Sequence, residues 1–221
     1  MALTVYFGSG SPYSWRVMLA MELKGLEYEA VELHFSKGDT QSAEHLARNP
    51  RGKIPVLIDG DITIYESTAI MAYLEKTYPD VPIFGAEGRE HALIWQRYAE
   101  LENYLGNTIS SILAPIFRGE AEGKDGEIKA NLEKLKAELE AVHGWLGASG
   151  YIVGDSLSAA DVTLYPQVAL LRRVGPRLRD AYGADFLNFE ESFPAFLPLM
   201  ERIEALENFD RTYPPHWRAA A

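Results

Sequence analysis

Apolar positions follow two regimes along this chain. In the first third, short apolar runs alternate with helix-length segments. Residues 3–7 form a compact apolar run of strand length. Over 13–24, Trp15, Val17, Met18, Leu19, Met21 and Leu23 cover more than one face, which predicts a helix packed on two sides and ended by Gly25. Residues 27–33 alternate charged and apolar side chains, the pattern of a half-buried strand. A short helix is predicted over 42–48, closed by Asn49-Pro50. The runs 55–58 and 61–64 flank Asp59-Gly60, a strong hairpin signal. A helix over 66–78 follows and stops at Pro79. The order βαβαββα predicts a small mixed sheet with helices packed on it.

Beyond residue 88 no strand pattern appears. Residues 89–117 read as one long helix with a bend near Pro115. Residues 119–126 are a polar loop, and 127–146 carry Ile128, Leu132, Leu135, Leu139, Val142 and Leu146 at three- and four-residue steps. Helices over 159–174 and 195–206 complete the set. The fold class is therefore an α/β domain over 1–79, a linker over 80–88 and an all-α domain over 89–221. Ser158, Ala159, Ala160 and Asp161 read as a capping box, with Leu157 and Val162 as its hydrophobic staple.

Composition narrows the function classes. The 221 residues are 47% hydrophobic and 24% charged, ordinary for a globular protein. No apolar run reaches the length of a membrane span, and no export signal is visible at the N-terminus. The net charge of -11 disfavours nucleic acid and anionic membrane as partners. With no cysteine there is no disulfide, no thiolate zinc site and no cysteine nucleophile. The five histidines show no metal-ligand spacing. A reducing cytoplasm fits this composition.

Three segments carry candidate chemistry. In "GSGSPYSWRV", Ser11 is a helix N-cap and Pro12 suits the first helical position. A hydroxyl there sits at the positive end of the helix dipole and still donates outward. Cysteines in place of Ser11 and Ser14 would make a redox motif, so the loop has the form of a sulfur site without sulfur. The same residues also read as a plain cap, with Ser14 supporting the first turn. In "NPRGKIP", Pro55 opens a strand, which implies an edge position. In a thioredoxin-like sheet the bond before this proline is expected to be cis, leaving the backbone of Ile54 free for an extended peptide and Lys53 for a carboxylate. An ordinary turn with a solvated lysine is the other reading. Glu66-Ser67 opens a helix, where acidic and hydroxyl residues belong in any case. There the serine also suits a carboxylate and the glutamate an ammonium, the two ends of an amino-acid head group.

Taken in order, "SPYSWRV", "NPRGKIPVL", "YESTAIMAYLE" and "GDSLSAADVTLYP" resemble the cytosolic glutathione S-transferase family over nearly the whole chain. The resemblance implies a thioredoxin-like N-terminal domain that binds glutathione and a helical domain supplying most of the acceptor pocket. It also implies a cytoplasmic homodimer acting on a small, largely apolar electrophile, with glutathione as co-substrate and no metal. Carried over by position, Ser11 is the serine that hydrogen-bonds the glutathione sulfur. Ile54, before Pro55, pairs with the cysteinyl backbone; Glu66 and Ser67 hold the γ-glutamyl head. Lys53 holds the glycyl carboxylate, and Gln41 is a further contact.

For the acceptor pocket the candidates are Tyr13, which follows Ser11 and is expected to face the cleft, Tyr104, Ile112 and Phe117 on the long helix, where such residues also read as core, and Trp217 in a tail that either folds over the cleft or frays. "SWRV" is similar to the zeta class, which isomerises maleylacetoacetate, and "SPY" to the plant tau class. The cysteine of the zeta loop is absent here. Glutathione-dependent isomerisation, ether cleavage, dehalogenation and a non-catalytic binding or dimerising module are the alternatives.

Overall fold

The computed structural model describes residues 3–86, 88–147 and 149–218. By backbone contacts the chain divides into two units, Met1–Ile83 with Glu204–Ala221, and Phe84–Ile203.

The first unit holds β1 (Leu3–Phe7), α1 (Pro12–Leu23), β2 (Tyr28–Glu32), α2 (Ala43–Arg48), β3 (Val56–Asp59), β4 (Ile62–Tyr65) and α3 (Ser67–Thr77). The sheet order is β2-β1-β3-β4. β1 runs parallel to β2, while β1–β3 and β3–β4 are antiparallel. This is the thioredoxin-like arrangement expected. In the register Val5 lies opposite Leu57 and Tyr6 opposite Val56. Val5, Val17, Leu19, Leu57, Ile70, Met71 and Leu74 are fully buried and form the core between sheet and helices. α1 is buried from Ser14 to Met21, as a helix packed on two sides requires. The hairpin is tied to α3 by Asp59, which accepts hydrogen bonds from Tyr73 and Tyr78 at 2.8 and 2.6 Å. Both tyrosine hydroxyls are pushed up, by burial first and then by that carboxylate, Tyr78 to about 12.

The edge position expected at Pro55 is corrected. β3 is interior, with β1 and β4 on either side. The proline is tolerated because it precedes the ladder, whose first β3 residue is Val56.

The second unit contains α4 (Gly88–Glu100), α5 (Asn107–Phe117), α6 (Asp125–Trp145), α7 (Ala159–Tyr182) and α8 (Phe189–Ser192). α9 (Phe196–Glu204) lies at its end, and α10 (Phe209–Thr212) belongs to the first unit. The long helix is irregular over Leu101–Gly106, a π-helical stretch, rather than at Pro115, which sits in the last turn of α5. α7 runs past the expected end at Val174, through Gly175 and Pro176, to Tyr182. Gly175 serves packing there: a Cβ would lie 3.3 Å from Leu187. Ile83 and Phe84, in the expected linker, are fully buried, and Phe84 stacks on Trp95 at 4.1 Å.

The capping box forms. Asp161 accepts from the Ser158 N–H at 2.9 Å, the Ser158 hydroxyl at 2.6 Å and the Ile152 N–H at 3.0 Å.

Candidate functional site

The first unit gathers the sequence-predicted residues on the loops after β1 and before β3, and at the start of α3. Ser11 is the N-cap of α1, with extended backbone angles. Its N–H donates to the Gly8 carbonyl at 3.1 Å. Its hydroxyl accepts a long bond from the Ser14 N–H, 3.5 Å, and is half-buried. The hydroxyl proton is left to donate outward, where the N-terminal end of the α1 dipole also points. Ser14 does support the turn: it is buried, and its Oγ accepts from the Gly8 N–H at 3.4 Å.

Gly8 lets the two loops meet. A Cβ there would lie 2.8 Å from Ile54 Cδ1 and 3.0 Å from the Phe35 ring. The Ile54–Pro55 bond is cis, as expected. Ile54 stands outside the ladder that begins at Val56. Pro55 is buried and the Lys53 side chain is exposed. The loop is braced from α2 and its C-cap: His45 Nε2 and Asn49 Nδ2 both reach the Lys53 carbonyl. Gln41 lies in the 3-10 turn Asp39–Gln41, before α2, and donates to the Gly52 carbonyl at 3.3 Å.

Glu66 sits at φ 69°, a left-handed conformation that costs a non-glycine residue about 1–3 kcal/mol. It keeps the carboxylate exposed at the corner while Ser67 turns inward to 5% exposure. Among the described residues neither Glu66 nor Lys53 pairs with another side chain. Ser67 is met by Arg16 of α1, whose guanidinium donates to its hydroxyl oxygen. The Ser67 proton is thereby left to donate. Arg16 is 2% exposed, and its Cζ lies 5.0 Å from the Tyr13 ring centre.

Sequence reasoning gave Arg16 and His45 no role. A signal existed for Arg16: a charge between Trp15 and Val17, in a helix packed on two sides, needs a buried partner. The spacing of His45 to other histidines carries no metal signal, and its partner, the Lys53 carbonyl, is a backbone group that no side-chain pattern marks.

The expected acceptor residues divide. Tyr13 is 43% exposed beside Ser11, and Trp217 is half-buried against the same loop. In the second unit Tyr104 and Phe117 are exposed on their helical stretches. Ile112 is corrected: it is fully buried and packs as core, so it offers no surface to a ligand.

Trp217 arrives through the tail. Pro214 and Pro215 stop any helix, as expected, and Pro215–Trp217 form a 3-10 turn. The Trp15 indole donates to Thr212 Oγ1 at 3.0 Å and meets Tyr213 and Trp217 edge-on at 5.6 and 5.5 Å. Arg211 makes a two-pronged bond to Glu22, at 2.5 and 3.1 Å, and covers the Tyr28 ring at 4.4 Å. Burial, and then the Glu22 carboxylate accepting its proton, push the Tyr28 hydroxyl up. So anchored, the tail brings His216 Nδ1 to 3.2 Å from Ser9 Oγ and the Trp217 ring against Gly10.

Among the described residues no group of three His, Asp or Glu side chains is arranged to hold a metal. Among the same residues no helix is long and apolar enough to cross a membrane.

Comparison with known proteins bears on this geometry. Residues 1–76 match the model of the glutathione S-transferase N-terminal domain, and 105–207 that of its C-terminal domain. Glutathione S-transferase A of Pleuronectes platessa is 32% identical over 97% of this chain and 92% of its own length. A zeta-class glutathione S-transferase of Euphorbia esula is 32% identical over 96% and 90%. Among solved structures, a glutathione S-transferase from the Antarctic clam Laternula elliptica is 31% identical. It covers 100% of this chain and 95% of its own, with a TM-score of 0.84. With both domain models in order on a thioredoxin-like sheet followed by helices, the chain belongs to the glutathione S-transferase family.

Proposed function

We propose that this chain binds glutathione on its first unit and uses the Ser11 hydroxyl to hold the sulfur as a thiolate. The thiolate then attacks an electrophilic carbon of a small, largely apolar acceptor. The carbon–sulfur bond forms, the leaving group departs with its electron pair, and the thiol proton passes to solvent. A free thiol, with a pKa near 8.5, is only a few per cent ionised at pH 7. Bringing it to about 6.5 needs roughly 2.7 kcal/mol of preference for the thiolate. A hydroxyl bonded to an anion, helped by a helix N-terminus, supplies that order of energy. The observation that carries the reading is the state of Ser11: it is half-buried at the head of α1, and among the described residues its oxygen is engaged only by a long bond and its hydroxyl donates to none.

The remaining assignments follow the same geometry. Ser67, its oxygen engaged by Arg16, donates to the γ-glutamyl carboxylate at the start of α3, and the exposed Glu66 meets the ammonium. Lys53 serves the glycyl carboxylate, and the backbone of Ile54, beside the cis bond to Pro55, pairs with the cysteinyl unit. Gln41 contributes through the Gly52 loop that it closes. Tyr13 and Trp217 flank the loop of Ser11 and contact the acceptor. A cytoplasmic homodimer without metal belongs to this reading.

The test is the ultraviolet absorbance of bound glutathione thiolate against pH in wild type and Ser11→Ala. The wild-type thiol titrates near 6.5, about two pH units below free glutathione, and the variant returns toward 8.5. Turnover falls much further than glutathione affinity in the variant. Binding without any displacement of the wild-type thiol pKa refutes thiolate activation and leaves a binding module.

A further inference from the structure

His45 on α2 is 1% exposed, and its ring serves the loop before β3. Its Nε2 lies 3.0 Å from the Lys53 carbonyl oxygen. A carbonyl only accepts, so Nε2 carries the proton. Asn49 Nδ2 donates to the same oxygen at 2.7 Å, so both lone pairs of that carbonyl are taken. Each donor is itself held. The Asn49 N–H donates to the His45 carbonyl at 2.8 Å, Asn49 Oδ1 accepts from the Arg51 N–H at 3.0 Å, and the His45 N–H donates to Ser42 Oγ at 3.2 Å. The other ring nitrogen, Nδ1, is buried with no hydrogen-bond partner among the described residues. An apolar ring of similar size would avoid that cost, so packing alone does not call for an imidazole here.

The consequence follows from the peptide plane. Lys53–Ile54 is trans, the cis bond being the next one. In a trans peptide the C=O and the following N–H point to opposite sides of one rigid plane. Two donors, His45 on α2 and Asn49 at its C-cap, hold the Lys53 carbonyl toward that helix. The Ile54 N–H must then point away from α2, and the ladder that starts at Val56 does not use it. One donor would leave the plane free to rock about its Cα–Cα axis; two from different residues fix it.

We infer that His45 is a positioning residue for glutathione: from behind the loop it locks the Lys53–Ile54 plane, so that the Ile54 amide stands ready for the cysteinyl carbonyl of the tripeptide. This rests on the function proposed above.

The test uses the full chain and glutathione itself, with binding measured by calorimetry and kinetics at saturating acceptor. His45→Leu keeps the bulk and removes the donor. It weakens glutathione about five- to tenfold, the worth of one lost hydrogen bond, and raises the glutathione KM to match. The kcat at saturating glutathione stays within about twofold, because the thiolate donor is untouched. His45→Gln, whose amide reaches the Nε2 position, recovers most of the affinity, whereas His45→Asn is too short to do so. This Gln–Asn pair decides the matter if the leucine variant does not fold. Unchanged affinity in His45→Leu, or a glutamine variant no better than asparagine, overturns the inference alone. A wild type that binds no glutathione refutes the function reading and this inference with it.

Discussion

Gly10→Ala tests whether the tail is seated on the loop between β1 and α1. Two costs follow from the structure. Gly10 has φ +80°, and an L-residue in the left-handed region loses about 1–2 kcal/mol. The added Cβ would also lie 3.1 Å from Trp217 Cζ2 and 3.3 Å from Cε2 and Nε1, closer than ordinary packing. Trp217 lies in a short turn able to yield by a few tenths of an ångström, so this second cost falls at the low end of the usual 1–3 kcal/mol for overpacking, about 1 kcal/mol. The sum is about 2–3 kcal/mol. Trp217→Ala removes the collision and leaves the backbone cost, so Gly10→Ala in that background costs about 1–2 kcal/mol. Urea unfolding of wild type, both single variants and the double variant closes the cycle, with an expected coupling near 1 kcal/mol. A coupling within about 0.3 kcal/mol of zero, the scatter of independent sites, would refute the seating of Trp217 on Gly10.

Two further outcomes concern the framework. Asp161→Ala removes the acceptor of three bonds and strands the buried N–H groups of Ile152 and Ser158; about 3 kcal/mol of stability is lost, read by urea unfolding, with the glutathione thiol pKa unchanged. The second concerns pH. The folded chain holds the Tyr28 proton more tightly than the unfolded chain, because burial and then Glu22 oppose its loss. Its contribution is complete below pH 10, where unfolded tyrosine is still protonated, and is lost as pH rises further. Tyr28→Phe therefore reduces the alkaline fall in stability by up to about 1.4 kcal/mol per pH unit, and an identical slope above pH 10 would contradict the bond to Glu22.

Local chemistry made much of this fold legible. Strand runs, the hairpin and the Ser158–Asp161 box each act within a few residues, and each forms, the hairpin one residue later than read: Asp59 pairs with Ile62, and Gly60-Asp61 make the turn. What failed depended on distant partners. Pro55 reads as an edge residue because proline lacks a donor, but one residue before the ladder that donor is not needed. The helix expected to end at Val174 runs on through Gly175, where the glycine allows the close approach of Leu187. The place of the tail depended on Glu22 and Trp15, nearly two hundred positions away in sequence, which no local pattern connects to Arg211 and Thr212.

The same distinction separates the site residues that were seen from those that were missed. In the function proposed above, Ser11, Lys53, Glu66 and Ser67 offer groups to glutathione, and their side-chain chemistry announces them. Arg16 and His45 offer nothing outward. Arg16 takes up the oxygen of Ser67, and His45 takes up the oxygen of Lys53. In both cases a buried donor satisfies an acceptor and leaves the paired donor, a hydroxyl proton or an amide N–H, facing the other way. On the proposed reading the ligand is a peptide with free carboxylates, a carbonyl and a thiolate, which needs donors; an unaided hydroxyl donates or accepts, and an unaided peptide plane presents either its N–H or its C=O. Filling their acceptor side from within is the means of making them donors. Among the described residues Ser11 has only a long bond to its oxygen, and on the proposed reading this leaves its hydroxyl free to follow the sulfur as the proton leaves.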